Sequence, residues 1–279
     1  TELFTTKNAI LMSPAVVLPP LLLGLNTVIL NDPEALALWR AQPEVRGEED
    51  VGCAPADWIR EICRDAPSSF RQLARNPKRS VTIGGQHQVF APIYGAPFVR
   101  DLEKGRRYGD IASFQDLVRL TYMSPALHHG GFVTCEPCDV PVSKRHLDML
   151  LAHMTLSDKP HLGAITEMSR AQDSVDMAEI VFGRETLDQH CVIMGNVNTN
   201  SPLLVDKVVT EAVRVYCGRG QGIVVVPFIL SGAMGPVSTA ASVAQAVAEA
   251  MMVCAYAQLV RKGAPFVLGN FLSLMSLKS

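Results

Sequence analysis

The sequence predicts an α/β chain: a (β/α)8 TIM-type barrel, incomplete at the C-terminus with about six strands present, behind a small N-terminal helical and β-hairpin preface. Three observations carry this. Beyond Ser113, short apolar runs alternate with helix-length amphipathic stretches, the rhythm of βαβ units and a parallel sheet. Ile223 to Val226 is a continuous β-branched run, which suits a strand covered on both faces. After it, Ser231-Gly232-Ala233-Met234-Gly235-Pro236 is too small and Gly-rich for core and leads into a long Ala-rich helix with Pro236 in its first turn. That order places backbone N–H groups at the carboxyl end of a strand, where α/β barrels keep their active sites.

Taken in order, residues 1–79 form the preface and 80–279 the barrel. Ile10 to Leu30 is apolar over about the length of a membrane span. Pro14, Pro19, Pro20 and Gly24 interrupt it and no basic region precedes it, so it reads as an irregular segment packed on the domain. Asn31-Asp32-Pro33-Glu34 caps a first helix and Asp57 to Cys63 starts a second. Ser80 to Tyr108 reads as Gly-punctuated hairpins. Strands are then expected at Val89–Tyr94, His128–Val133, His161–Thr166, Cys191–Val197, Ile223–Phe228 and Phe266–Asn270, with helices at Ser113–Tyr122, Ser143–Met154, Ala171–Phe182, Asp206–Cys217 and Val237–Val260. A doubly wound sheet is the rival, but neither G-x-G-x-x-G after a first strand nor a P-loop occurs.

The chain of 279 residues is 48% hydrophobic, enough for a sizeable core. Its 27 acidic and 25 basic residues leave a net charge of -2 without long blocks of one sign, so no nucleic-acid or membrane partner is expected. Seven scattered cysteines fit a reducing, cytoplasmic setting.

Small and polar residues gather just past the strand ends: His128, His129 and Gly130-Gly131; Thr166 and Glu167; Asn196, Asn198 and Ser201; Ser231 and Gly232; Asn270. As a group they suggest a pocket at a barrel mouth. Singly, each has a plainer reading: Asn200-Ser201-Pro202 as a helix cap, Glu167 as half of a surface salt bridge. Cys135-Glu136-Pro137-Cys138 lies near His128-His129, but a lone C-x-x-C is weak and no metal is expected. Lys159 and Lys207, the lysines to weigh for a Schiff base, read as solvated, and the Ala-rich helix as tight packing. No acyl-transfer motif G-x-S-x-G occurs.

Cys191-Val-Ile-Met-Gly-Asn-Val-Asn-Thr-Asn-Ser-Pro-Leu, Pro227-Phe-Ile-Leu-Ser-Gly-Ala-Met-Gly-Pro-Val-Ser, Ala248-Glu249-Ala250 and Gln258-Leu-Val-Arg-Lys-Gly-Ala-Pro-Phe-Val-Leu-Gly resemble the trimethylamine methyltransferase family. Ala66-Pro67-Ser68-Ser69-Phe70 and Ser157-Asp158-Lys159-Pro160 extend the resemblance, which runs from about Asn31 to the last residue. Members are corrinoid-dependent methyltransferases with a (β/α) barrel that continues past the position of Ser279, through the site where some carry pyrrolysine.

The resemblance implies methyl transfer from a small methylated amine to the cobalt of a cobalamin-type corrinoid on a cognate corrinoid protein, with no metal bound by this chain itself. A quaternary amine such as glycine betaine is favoured over trimethylamine, and a homo-oligomer is compatible. It makes Phe228, Tyr94 and Glu167 candidates for holding the cation. Ser231, Gly232, Met234 and the rest of that turn become a wall where corrinoid and amine meet, with a substrate carboxylate as the charge the turn would bind. A non-catalytic amine-binding barrel and a barrel lyase or aldolase are the alternatives.

Overall fold

A computed structural model describes residues 25–274 apart from 48 and 50, with backbone alone for 25–28. The Pro-rich stretch before residue 25, read above as an irregular packed segment, lies outside the described residues. In chain order the first elements are β1 (Leu25–Leu30), α1 (Pro33–Arg40), β2 (Val51–Pro55), α2 (Ala56–Cys63), β3 (Ser69–Gln72), β4 (Val81–Gly84), β5 (Phe98–Asp101) and β6 (Gly105–Tyr108). Next come α3 (Ile111–Met123), α4 (Val142–Leu156), β7 (His161–Gly163), α5 (Met168–Phe182), α6 (Arg184–Gln189), β8 (Ile193–Val197), β9 (Leu204–Val205) and α7 (Lys207–Gly218). The chain continues through β10 (Gly222–Val225), β11 (Phe228–Ser231), α8 (Thr239–Val260), β12 (Phe266–Leu268) and β13 (Phe271–Leu274).

Two compact units result. One comprises Thr1–Pro67, Asn196–Cys217 and Ile223–Ser279; the other comprises Ser68–Gly195 and Gly218–Gly222.

In the first unit, β1 pairs antiparallel with β2 and parallel with β9. β10 runs parallel to β12, and β11 to β13. The expected strand from Ile223 to Phe228 divides into β10 and β11 at Val226-Pro227, because a proline cannot donate to a ladder. Asp32 starts α1 by accepting from the Glu34 N–H, and the same buried carboxylate accepts from Thr210 Oγ1 and Arg214 Nη1 at 2.5 Å each. Burial alone would raise the Asp32 carboxyl; the hydrogen bonds from Thr210 and Arg214 outweigh it and hold the group below the usual range. Among the described residues α8 is the one helix long and apolar enough to cross a membrane, and 67% of its apolar window is buried. Its alanines let α2 and α1 approach closely.

In the second unit, β7 and the start of β8 run parallel, His161 beside Ile193 and Gly163 beside Gly195. The hairpins expected between Ser80 and Tyr108 form in part, as β5–β6 and as β4 paired with β3. The segments 89–94 and 128–133, expected as strands, are irregular. Pro92 interrupts the first, and Gly131 at φ 67 bends the second out of the extended region. Their backbone groups pair piecemeal instead: His128 and His129 donate to Phe90 O, Gly95 to Val133 O, and Leu162 to Gly131 O. The core is built where α3 packs on α4 and α4 on α5, burying Phe114, Val118, Leu150 and Val175. The expected α/β alternation is present, and among the described residues no sheet closes into a barrel.

Candidate functional site

A cavity of about 100 Å³ opens in the second unit. Loop residues Tyr94, Phe132, Val133 and Glu136 form one side, and Ala164-Ile165-Thr166, directly after β7, form another. Helix α4 supplies Val142, Arg145, His146 and Met149, and α5 supplies Arg170. The spacing 142, 145, 146, 149 is one face of an α-helix, so about two turns present all four residues together. Arg145 ties that face to the loop before it. Its Nη1 donates to Glu136 at 2.6 Å, while Nε and Nη2 donate to Val140 O at 3.1 and 2.9 Å.

The lining combines an aromatic ring with charged groups. Tyr94 remains 43% exposed, yet burial around its phenol, then the charge of Glu136, pushes it up to about 12, so it is neutral at any physiological pH. An aromatic face beside a carboxylate suits a small cation. Arg170 reaches Glu167 at 2.8 Å and Thr166 Oγ1 at 3.1 Å. His146 Nε2 lies 2.8 Å from Asp173 Oδ2, and its buried Nδ1 has no hydrogen-bond partner. At this volume the cavity is well below the usual 300–1,000 Å³ of drug-sized sites and takes only a small molecule.

Of the residues singled out in the sequence, Tyr94 and Thr166 line this cavity. Glu167 stands at its edge with an exposed carboxylate turned to Arg170, the plainer of its two readings. His129 is buried: its Nδ1 accepts from the Gly131 N–H at 2.9 Å, which leaves Nε2–H to donate to Gln72 Oε1 at 3.1 Å. Burial, then the charge of His161, drives His129 down to about 3, so it is a neutral core histidine. Burial also pushes the Cys135 thiol up to about 11. Among the described residues no three His, Cys, Asp or Glu side chains group to hold a metal.

The remaining candidates belong to the first unit. Phe228 stacks on Phe271 with ring centroids 5.2 Å apart, beside the exposed Asn270. Asn196 is half-buried with Oδ1 unpartnered, and Asn198 is exposed. Ser231 is buried, 2.8 Å from Ser242 Oγ. The turn after it does not present free amides: Gly232 N donates to Gly235 O, and Ala233 N and Met234 N both donate to Leu230 O. A substrate carboxylate therefore has no N–H to meet at those three positions, which corrects the anion role given to this turn.

Sequence reasoning missed Glu249, which lies 1% exposed in the Ala-rich helix. Its carboxylate accepts from Thr199 Oγ1 at 2.6 Å, Ser201 Oγ at 2.7 Å, the Leu203 N–H at 3.0 Å and Gln245 Nε2 at 2.9 Å. Ser201 thus serves Glu249 instead of capping a helix. A Glu within an alanine run was the available signal. Lys159 is also corrected: it is buried, its ammonium donating to Thr121 O, Ser124 O and Leu127 O at 2.6–2.9 Å. Lys207 is exposed and faces Glu211. Glu136 and His146 carry no sequence signal of their own: the first sits between Cys135 and Cys138, the second within an amphipathic helix.

Residues 22–279 match the family model described as trimethylamine methyltransferase. The chain is 32% identical over 224 residues to a glycine betaine methyltransferase of Desulfitobacterium hafniense (strain Y51), covering 80% of this chain and 47% of that relative. It therefore spans about half the relative's length.

Proposed function

The chain belongs to the trimethylamine methyltransferase family, and on that premise we propose that it binds a small methylated amine in the cavity of Tyr94, Phe132 and Glu136 and passes a methyl group to the cobalt of a corrinoid protein. The observation that carries this is the pairing, in one small cavity, of a permanently neutral tyrosine with the Glu136 carboxylate. A quaternary ammonium has no N–H to donate, so its recognition depends on ring faces and a nearby negative charge.

A quaternary amine is the favoured substrate. When its methyl carbon is attacked by the electron pair of reduced cobalt, the C–N bond breaks, its electrons stay on nitrogen, and a neutral amine leaves. A tertiary amine needs a proton first. The matched relative carries the name glycine betaine methyltransferase, in line with this preference. What the protein contributes is position: it holds the cation so that one methyl faces the mouth. The cavity is too small for a corrinoid macrocycle, so cobalt approaches from outside on its own protein. In this reading residues 80–279 belong to a (β/α)8 barrel and the enzyme is cytoplasmic.

The test incubates the full-length protein with cob(I)alamin and, in turn, glycine betaine, other quaternary amines and trimethylamine, following the cobalamin absorption spectrum. Conversion to methylcobalamin with at least one quaternary amine is expected. Absence of conversion with every amine overturns the reading, and calorimetric binding without conversion favours a binding protein.

A further inference from the structure

A second cavity, of about 210 Å³, lies in the same unit, and its lining includes Lys78, Arg79, Ser80, His128 and Lys159. It is set apart from the cavity of Tyr94. Lys159 precedes β7 and Ala164-Ile165-Thr166 follow it, so the two cavities flank opposite ends of that strand. Basic residues reach the second cavity from three separate stretches of chain, and none of its described lining residues is acidic. Lys159 is 5% exposed, and its ammonium has already given its hydrogens to Thr121 O, Ser124 O and Leu127 O, so it supplies charge and no further hydrogen bond. Arg79 pairs through Nε with Asp158 at 2.8 Å and lies over the Tyr122 ring, 4.7 Å from its centroid. Its two Nη groups, and the ammonium of Lys78, have no hydrogen-bond partner among the described residues. His128 Nδ1 accepts from the Phe90 N–H at 3.1 Å, which leaves Nε2–H as the donor. Ser80 Oγ accepts from the Ala74 N–H at 3.0 Å and keeps its own hydrogen to give.

We propose that this cavity is a binding site for a phosphate group, held by the Arg79 guanidinium, the Lys78 ammonium and the Nε2–H of His128 beside the fixed charge of Lys159. The lining offers unused donors, which suits a ligand group that only accepts. Charge narrows the class further. Among the described residues, Asp158 is the one carboxylate paired with any of the three cations, so a surplus of two positive charges remains. A phosphate monoester carries about −1.5 to −2 at neutral pH and matches that surplus, where a carboxylate meets half of it. The planar guanidinium can give two parallel hydrogen bonds to phosphate oxygens, and Lys78 adds a point charge. Burial, and then the charge of Arg79, lowers the Lys159 ammonium, a like-charge contact that a bound dianion would relieve. Neither Tyr94 nor Glu136 takes part, so the site does not depend on the amine reading.

The test is titration calorimetry on the full-length protein, in an amine-sulfonate buffer at fixed ionic strength, with inorganic phosphate, glycerol 3-phosphate and acetate as probes. Wild type is compared with Lys78→Gln, Arg79→Gln, Arg79→Lys and, as a control for net charge, Lys207→Gln in the first unit. Saturable binding of at least one phosphate probe at one site per chain is expected, with acetate at least about tenfold weaker. Arg79→Gln is expected to weaken phosphate about tenfold or more through loss of a charge-assisted hydrogen bond, and Lys78→Gln about threefold. Arg79→Lys, which keeps the charge and loses the fork, falls between wild type and Arg79→Gln. Lys207→Gln stays within about twofold of wild type. Should Arg79→Gln fail to fold, Lys78→Gln carries the comparison, since that exposed side chain has no partner to lose. Tighter binding of glycerol 3-phosphate than of inorganic phosphate supports the site with a phosphorylated small molecule as its ligand, and the reverse order supports it with free phosphate. No saturable binding of either phosphate probe overturns the proposal. So does acetate binding as tightly as phosphate, or Lys207→Gln weakening phosphate as much as Lys78→Gln.

Discussion

The backbone N–H of Leu203 donates to the buried carboxylate of Glu249 at 3.0 Å, and Leu203 holds φ at 57°. That left-handed conformation costs a branched residue about 1–2 kcal/mol. Glu249 offsets it by collecting four donors in one place: Thr199, Ser201, Leu203 and Gln245. Glu249→Ala leaves those donors facing a void and is expected to destabilise the protein by about 3–5 kcal/mol. Glu249→Gln, which keeps one acceptor, costs less. Urea denaturation of both variants checks the order, and a neutral Glu249→Ala would show that the cage is filled by water at no cost.

Tyr94 and Glu136 are expected to act on a cation through different physics. Tyr94→Ala removes the ring and weakens tetramethylammonium binding by about 0.5–2 kcal/mol, or roughly 2- to 30-fold. Tyr94→Phe keeps the ring face and stays close to wild type, because a phenol pushed up to about 12 carries no charge to lose. Glu136→Gln removes the countercharge and also releases Arg145 beside the site, so it weakens the cation further. Titration calorimetry of the three variants separates ring from charge.

Acid sensitivity follows from two buried histidines. His129 and His153 are held near 3, mainly by burial and then by the charge of His161, against an unfolded value of about 6.5. Between those values the unfolded chain binds more protons than the native state, so stability rises with pH across about 3 to 6.5 and is lost as pH falls through that window. Each histidine contributes up to about 1.4 kcal/mol per pH unit there. His153 donates to Phe132 O and stacks on His161, with ring centroids 5.3 Å apart. His153→Phe is expected to flatten the slope between pH 6 and 4 while costing about 1–3 kcal/mol at pH 7, because Phe132 O loses its donor. An unchanged slope in pH-dependent urea melts would contradict this.

Lys159 tests the lyase alternative. With its ammonium shared among three carbonyls, Lys159→Met leaves three buried acceptors and is expected to cost about 2–4 kcal/mol in a thermal or urea melt. Burial, and then the charge of Arg79, lowers the ammonium against the pull of Asp158. Borohydride with carbonyl compounds should still place no adduct on Lys159, since its ammonium is held by three carbonyl acceptors. An adduct there would revive Schiff-base chemistry.

Legibility followed periodicity. The helices Ile111–Met123, Val142–Leu156 and Lys207–Gly218 lie close to where amphipathic spacing put them. The strand runs around Pro92 and Gly131 failed because apolar alternation says nothing about a missing N–H or a positive φ. Tyr94 came from the cation chemistry that the family resemblance implies, not from a strand end, since 89–94 forms no strand. Glu136 and His146 were not found, because what marks them is a neighbour distant in sequence: Arg145 for one, Asp173 for the other. Glu249 and Lys159 failed for a related reason, as charge suggests solvent unless the partners are known.

The face of α4 formed by Val142, Arg145, His146 and Met149 has an evolutionary consequence. Four of the twelve cavity residues are encoded within eight consecutive codons on a rigid rod, so ligand preference can drift by point substitution there while the backbone keeps its path. Length changes are another matter. One residue inserted or deleted within that segment turns everything after it by about 100°, which swings part of the face out of register at a stroke. Among homologues this helix should therefore vary in letters and hold constant in length.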